Sequence, residues 1–145
     1  MVAFPSKIKS RSEKESELIA TEFINLCKAG DRIVLNGDLG AGKTFFIKSA
    51  LSSIGIYNVS SPSFAIVNEY RNDHRIYHFD FYRLKVSSEL FDIGWQDYLN
   101  DEDSIIFVEW GNRFQSILPG ARIEINIKIL NRTEREFSFE KHNRQ

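Results

Sequence analysis

The chain has 145 residues and a formal net charge of −1. A chain of this length can form one domain that buries roughly two thirds of its unfolded surface, so we expect a single domain over residues 1–145. The near-zero net charge gives no broad attraction to nucleic acid or to membranes, and any RNA contact must be local or supplied by a partner. Its apolar runs are too short to span a membrane and the N-terminus has no signal-like core, which predicts a cytoplasmic protein.

The first predicted element is a helix over residues 12–28. Apolar side chains recur there at helical spacing with charges opposite, and Gly30 is expected to end the helix. The predicted apolar stripe consists of Leu18, Ile19, Phe23, Leu26 and Cys27. Because the single cysteine of the chain lies in this stripe, we expect a core residue rather than a nucleophile, and no internal disulfide can form.

Residues 33–35 form a short, wholly apolar segment that is typical of a buried central strand. A second helix is predicted over residues 43–53, with Gly55 just beyond it. The later segments predict two hairpin strands over 64–70 and 75–81, short helical pieces over 87–91 and 95–99, and strands over 105–108, 123–129 and 135–140. This order predicts an α/β domain with three layers and a mixed sheet that antiparallel strands extend.

A glycine-rich run joins the first apolar strand to the second helix. Its residues are Gly37, Asp38, Leu39, Gly40, Ala41, Gly42, Lys43 and Thr44. Glycine, four residues and then Gly-Lys-Thr is the spacing of a phosphate-binding loop, whose N–H groups and following helix surround an anion. Lys43 would reach the outer phosphates, and the Thr44 hydroxyl would bind Mg²⁺. The flanking strand and helix favour this over an ordinary turn, so we expect a P-loop NTPase-like domain that binds a nucleoside triphosphate.

Polar side chains follow two of the predicted strands. Glu109 comes directly after the apolar strand 105–108, and ligands of open α/β sheets lie at the carboxyl ends of strands. A carboxylate there would hold Mg²⁺ or orient the attacking water, whereas the alternative is a surface glutamate. Alternation places His78, Asp80 and Tyr82 on one face of a strand. Asp80 is a second candidate for the metal site, and His78 is either functional or a structural histidine.

Further candidates lie elsewhere along the chain. The loop 60–64, which includes Ser63, is typical either of a segment that contacts a γ-phosphate or of an ordinary turn. Trp110 could cover the nucleotide, anchor a partner or belong to the core. Ser12 and Arg132 are candidate nucleotide contacts, since the turn around Arg132 could reach the base. The basic residues expected to be mostly solvated are Arg113, Arg122, Arg132 and Arg135.

Four segments together resemble the bacterial TsaE (YjeE) family of small ATPases. They are Gly-Asp-Leu-Gly-Ala-Gly-Lys-Thr at 37–44, Ser-Pro-Ser-Phe at 61–64, His-Phe-Asp-Phe-Tyr-Arg-Leu at 78–84 and Val-Glu-Trp at 108–110. The resemblance implies that Lys43 holds phosphate, that Thr44 and Glu109 ligate Mg²⁺, and that Lys43, Asp80 and Glu109 serve catalysis. The other motif residues that it places in the site are Ser63, where the family usually has threonine, His78, Tyr82, Arg83 and Trp110.

The resemblance also implies a cytoplasmic protein that binds ATP with Mg²⁺, hydrolyses it weakly and acts with the TsaB and TsaD proteins. Those partners place threonylcarbamoyl on the adenosine beside the anticodon of tRNAs reading codons that start with A, so tRNA would be contacted only through the complex. One alternative is a small-molecule kinase, which would need a second pocket and an arginine-rich lid. Another is an assembly factor that binds ATP without turnover. A GTPase would need an Asn-Lys-x-Asp segment, and the sequence has none.

Overall fold

The computed structural model describes residues 1–62 and 65–143. The strands are β1 (Ser6–Ser10), β2 (Arg32–Gly37), β3 (Val67–Arg71), β4 (Arg75–Asp80), β5 (Ser104–Glu109), β6 (Ala121–Ile129) and β7 (Arg135–Asn143). The helices are α1 (Glu13–Leu26), α2 (Lys43–Ser52), α3 (Ser88–Asp92) and α4 (Trp95–Asn100), and a 3₁₀ segment covers Gly111–Ile117. No helix in the described ranges is long and apolar enough to cross a membrane.

The described strands form one mixed sheet of seven strands in the order β1-β7-β6-β2-β5-β4-β3. β2 pairs in parallel with β5 on one side and with β6 on the other, and β4 is parallel to β5. Antiparallel pairs add β3 at one end of the sheet and β7 and β1 at the other. The predicted α/β fold with an antiparallel extension is confirmed, and so is the central position of the apolar strand.

Alternate residues of β2 pack on opposite faces of the sheet, because strand side chains alternate in direction. Ile33 and Leu35 belong to a core that α1 and α2 cover, together with Phe46 of α2. Val34 belongs to a second core beneath α3 and α4, which includes Trp95. The sheet therefore lies between two layers of helices.

The first helix differs from the prediction at both ends and on its buried face. α1 begins after its N-cap Ser12, whose hydroxyl accepts a hydrogen bond from the Glu15 N–H at 3.1 Å. Leu18 and Leu26 are 59% and 51% exposed. At 3.6 residues per turn, Leu18 falls on the side of α1 opposite its buried residues, and Leu26 falls at the border of the buried face. Gly30 does not end the helix, since its N–H donates to Ser104 at the start of β5. The buried residues of α1 are Ser16, Ile19, Ala20, Phe23 and Ile24.

Cys27 follows α1 and packs, half-buried, against the core on the helical side of the sheet. Burial raises the pKa of its thiol well above the usual range. The reactive form of cysteine is the thiolate, so this position disfavours nucleophilic chemistry. The structure thus agrees with the predicted core role.

Two elements were missed, and one hairpin was predicted with different ends. β1 has a single apolar residue, and its pairing with β7, rather than its own pattern, makes it a strand. The 3₁₀ segment after β5 was not predicted either. β3 and β4 form the expected hairpin, but β3 begins at Val67, because Ile66 has a left-handed φ of 69° directly before it. Phe64, where the strand was predicted to begin, lies outside the described residues.

The parallel strands bring their carboxyl ends to one edge of the sheet. There β2 leads into residues 37–44, β5 ends at Glu109 and β4 ends at Asp80. β6 leads into the turn 130–134, and β1, which runs in the same direction, ends just before Ser12. Residues from five strands therefore meet where ligands of open α/β sheets bind.

Candidate functional site

Residues 37–44 connect β2 to α2 in a loop that needs glycine at particular positions. A Cβ at Gly37 would lie 2.8 Å from the carbonyl oxygen of Ile127, so the loop begins in direct backbone contact with β6. Gly42, the N-cap of α2, has a φ of 107°, where any other residue would be strained. Because α2 starts at Lys43, its unpaired N–H groups and the positive end of its dipole lie at this loop.

Lys43 folds back over its own loop. Its Nζ donates to the carbonyls of Gly37 at 2.6 Å and Asp38 at 3.1 Å, and it lies 4.1 Å from the centre of the Trp110 ring. The residue is only 5% exposed, and burial lowers the pKa of its ammonium group. Two carbonyls and an indole therefore hold the ammonium group at the loop, where it would attract an anion.

Glu109 connects the loop to two strands. Its Oε2 and Oε1 lie 2.8 and 3.0 Å from the Thr44 hydroxyl, which donates to the carboxylate. Oε2 also lies 2.6 Å from Nε2 of His78. Glu109 is 3% exposed and His78 is fully buried. A buried carboxylate is costly unless donors satisfy it, so this chain of hydrogen bonds is what fixes Glu109 beside Thr44.

Asp80 lies next to Glu109, because the two residues are register partners at the ends of β4 and β5. Its Oδ1 accepts the Tyr82 N–H at 2.9 Å, and its Oδ2 accepts the Ser61 hydroxyl at 3.2 Å. Burial raises the pKa of Asp80, and the charge of Glu109 adds to this effect, while the two hydrogen bonds oppose it. The structure thus brings together the two carboxylates predicted for the metal side.

Tyr82 and Trp110 form an aromatic wall beside Lys43, with their ring centres 5.0 Å apart. The prediction that Tyr82 shares a strand face with His78 and Asp80 was wrong, because β4 ends at Asp80 and the chain turns there. Trp110 is half-buried and has a left-handed φ of 61° directly after β5. The turn and the unusual backbone together place both rings over the loop.

Two cavities flank the loop. The larger has a volume of about 750 Å³, and Ser12 and Arg132, which are distant in sequence, both line it beside Gly40 and Gly42. Basic residues that the prediction did not assign to the site also line it, namely Arg11, Lys14 and Arg135. The smaller cavity, of about 290 Å³, is bounded by the predicted phosphate and metal contacts Lys43, Thr44, Asp80 and Glu109 and by the aromatic wall.

Arg113 and Arg132, two of the four arginines expected to be mostly solvated, are exposed, whereas Arg122 and Arg135 are half-buried, and three of the four have specific partners. Arg113 donates to two backbone carbonyls of the turn after β4. Arg122 pairs with Glu124 at 2.7 Å. Arg135 donates to the Ala41 carbonyl at 3.2 Å and so supports the glycine-rich loop from β7. The partners of Arg113 and Arg135 are backbone carbonyls that only the folded chain brings close, whereas Arg122 and Glu124 are two residues apart on β6.

Some predicted site residues have less structural support. Ser63 lies outside the described residues. At the start of the same loop, the carbonyl of Ser60 accepts a hydrogen bond from the side chain of Asn68 on β3 at 3.1 Å. Arg83 follows Tyr82 in the chain and is exposed, and Leu39 at the loop tip is 73% exposed. Within the part of the chain that the structure describes, no group of three or more His, Cys, Asp or Glu side chains could hold a metal ion.

The sheet, with a glycine-rich loop and convergent polar groups at its carboxyl edge, defines an α/β protein with a ligand site at the strand ends. Comparison with protein families narrows this class. Residues 10–137 match the family model described as "Threonylcarbamoyl adenosine biosynthesis protein TsaE". The chain therefore belongs to the TsaE family, and the resemblance inferred from its four motif segments is confirmed.

Similar proteins support the same assignment. The chain is 37% identical to the tRNA threonylcarbamoyladenosine biosynthesis protein TsaE of Rickettsia typhi over 135 residues, which cover 91% of this chain and 92% of that protein. It is also 37% identical to the protein of that name from Bacillus subtilis, over 92% of this chain and 84% of the relative. The crystal structure of Bacillus subtilis YdiB matches with a TM-score of 0.80 and 30% identity, over 98% of this chain and 88% of that one.

Proposed function

We propose that this protein binds ATP with Mg²⁺ at the glycine-rich loop, hydrolyses it slowly, and acts with TsaB and TsaD in forming threonylcarbamoyladenosine on tRNA. Family membership supports the pathway. The contact between Thr44 and Glu109 carries the ATPase part, because it joins a loop hydroxyl to a strand-end carboxylate in the arrangement of a phosphate and metal site. The proposal treats residues 1–145 as one P-loop ATPase domain that works in the cytoplasm.

The two cavities support one orientation of ATP across the loop. The phosphates would lie at the start of α2, where the loop N–H groups and Lys43 supply positive charge. The nucleoside would occupy the 750 Å³ cleft beside Ser12 and Arg132. The basic side chains of that cleft, Arg11, Lys14 and Arg135, would offset the remaining negative charge of the nucleotide.

Lys43 has the contacts expected of a side chain that exchanges partners when phosphate binds. Its present acceptors are two neutral carbonyls. A phosphate oxygen is a stronger acceptor for an ammonium group, because both partners are then charged. We therefore assign Lys43 to the outer phosphates, where its charge would stabilise the negative charge of the transition state.

The oxygen donors beside the loop fit Mg²⁺. This ion commonly takes one or two protein oxygens and completes its octahedron with phosphate and water. Thr44 and Glu109 provide a hydroxyl and a carboxylate whose oxygens are 2.8 Å apart. When bound, Mg²⁺ would neutralise charge on the phosphate oxygens.

Asp80 is assigned to orient the attacking water. Its hydrogen bonds to Ser61 and to the Tyr82 N–H fix the carboxylate next to Glu109. The raised pKa makes it a better proton acceptor than an ordinary surface aspartate. Ser63 is assigned to the γ-phosphate on the strength of the family motif.

The biological role would depend on partners. A net charge of −1 offers no broad surface for tRNA, which supports contact with tRNA only through the TsaB and TsaD complex. Ser61, Tyr82 and Trp110 line the cavity beside the proposed phosphate site, so nucleotide state could alter the surface that partners meet. No membrane contact forms part of the proposal.

Phosphate release from ATP and Mg²⁺ by the full chain, alone and with TsaB, TsaD or both, tests this proposal. We expect slow release by the chain alone and faster release with both partners. ATP binding without release in any mixture would favour the non-hydrolysing assembly factor. Transfer of phosphate to a small molecule would favour the kinase.

A further inference from the structure

His78 lies behind the proposed metal site, and the proposed function gives it no role. It is fully buried on β4, and alternation places it on the same face as Ile76, which packs in the core beneath α1 and α2. Its Nε2 lies 2.6 Å from Oε2 of Glu109. Its Nδ1 is buried and has no hydrogen-bond partner among the described residues.

These contacts determine where the ring carries its proton. The carboxylate of Glu109 can only accept a hydrogen bond, so Nε2 must donate. Nε2 of His78 therefore carries a proton that is directed at Glu109.

The hydrogen bond from His78 differs from the one that Thr44 provides. The hydroxyl of Thr44 belongs to the loop and would take part in binding Mg²⁺, so its contact with Glu109 would change when the nucleotide binds. His78 faces the core and has no route to the ligand. It is thus the donor that can hold the Glu109 carboxylate in one orientation before and after binding.

We propose that His78 is a positioning residue, whose Nε2–H holds the carboxylate of Glu109 in the orientation that binds Mg²⁺ together with Thr44. This inference rests on the proposed function of the site. Hydrogen-bond partners of metal ligands typically contribute about 10- to 100-fold to metal affinity or activity. Without this partner, Glu109 would keep only the Thr44 hydroxyl of these two donors, and its carboxylate would be less well oriented for Mg²⁺.

Two substitutions separate this role from a purely structural one. His78→Leu fills similar space without a donor, whereas the side-chain amide of His78→Gln puts an N–H near the position of Nε2. His74→Leu is the matched control, because His74 is exposed in the turn between β3 and β4. Affinity for a fluorescent ATP analogue is measured for the full chain in EDTA and over a series of Mg²⁺ concentrations, and thermal unfolding is followed in parallel.

We expect His78→Leu to raise the Mg²⁺ concentration needed for half-maximal enhancement of nucleotide affinity by about 10- to 100-fold, with affinity in EDTA nearly unchanged. His78→Gln should recover most of the difference, and His74→Leu should match the wild type. A His78→Leu variant that is less stable but has an unchanged Mg²⁺ dependence would overturn the inference. So would a His78→Gln variant as defective as His78→Leu.

A nitrogen NMR spectrum of the protein without nucleotide or metal tests the hydrogen bond itself. The chain has three histidines, and comparison with His78→Gln assigns the signal. Nε2 should have the chemical shift of a protonated ring nitrogen, and an unprotonated Nε2 would overturn the inference. If Mg²⁺ has no effect on nucleotide affinity in the wild type, the proposed metal site has failed, whereas the NMR result still decides whether His78 donates to Glu109.

Discussion

The two sides of the glycine-rich loop are built differently. On the side proposed for the phosphates, Lys43, Glu109 and His78 are 5%, 3% and 0% exposed, and each has a hydrogen-bond partner within 3.1 Å. On the side proposed for the nucleoside, Arg132 is exposed, and the hydroxyl of Ser12 already caps α1. The first set is positioned by the fold before any ligand arrives, whereas an exposed arginine must lose conformational freedom when it binds.

This contrast has a functional consequence. A pre-organised group can stabilise a transition state without reorganisation at the moment of reaction, so its loss should lower the rate of hydrolysis or abolish tight phosphate binding. A side chain that is ordered only by the ligand contributes a smaller and more uniform part of the binding energy. The effects of substitutions on the two sides of the loop should therefore differ both in their size and in the kinetic constant that changes.

The largest effect should come from the carboxylate that contacts Thr44. Glu109→Gln keeps the size of the side chain but removes the charge that would bind Mg²⁺, so kcat for ATP hydrolysis should fall about a hundredfold or more, while nucleotide affinity in EDTA changes little. Phosphate release and analogue binding measure the two quantities. Glu102→Gln, at an exposed position before β5, is the control. A Glu109→Gln variant with the wild-type rate would favour the assembly factor.

A second large effect is expected at Lys43. Lys43→Ala removes a charge-assisted contact with phosphate of about 1.5–3 kcal/mol, which should weaken ATP binding roughly 10- to 100-fold without unfolding the protein. Lys48→Ala, at an exposed position of the same helix, controls for the loss of one positive charge. Titration with a fluorescent ATP analogue compares the variants. Equal affinity of Lys43→Ala and the wild type would contradict the phosphate-loop assignment.

The same contrast explains which features could be predicted from the sequence. The loop and the strand-end carboxylate were predictable, because local spacing and the direction of strands determine both. The bond from His78 to Glu109 was not, because it depends on the parallel register of β4 with β5. The predicted position of Tyr82 was wrong for a related reason, since only the fold shows that β4 ends at Asp80.

Elements with weak local patterns were missed for a similar reason. β1 has one apolar residue and becomes a strand only because β7 presents an edge to it. Arg135 gave no signal of its own, and its support of the loop through the Ala41 carbonyl depends on the position of β7. In α1, the predicted stripe was right for Ile19 and Phe23 but wrong for Leu18 and Leu26, which are exposed, because the buried face is centred elsewhere on the helix.

A smaller effect is expected on the nucleoside side. Arg132→Ala should raise KM for ATP about two- to fivefold with kcat unchanged, because an exposed charge contributes at most about 1 kcal/mol and acts equally on substrate and transition state. Steady-state hydrolysis at varied ATP measures both constants. Lys128→Ala, exposed on β6, is the control for charge. A fall in kcat as large as that of Glu109→Gln would show that the two sides of the loop do not differ as proposed.

The smallest expected effect concerns stability at Asp80, where function and stability should oppose each other. Burial raises the pKa of this carboxyl in the folded protein, so above its ordinary pKa the folded state binds protons more readily than the unfolded state. Stability then falls as pH rises through the raised pKa, and the ionised group destabilises the fold at pH 7. Asp80→Asn should therefore slow hydrolysis but raise the midpoint of thermal unfolding at pH 7, and this rise should become smaller as the pH is lowered toward the ordinary pKa.

Asp101 is a control for which the opposite change in stability is expected, because its hydrogen bonds and ion pair with Arg75 hold its pKa well below the usual range. Its contribution is present above the ordinary pKa and is lost as pH falls, so Asp101→Asn should lower the midpoint at pH 7. Thermal unfolding of both variants across pH checks the signs, and a destabilised Asp80→Asn at neutral pH would show that the hydrogen bonds of Asp80 outweigh the cost of its burial.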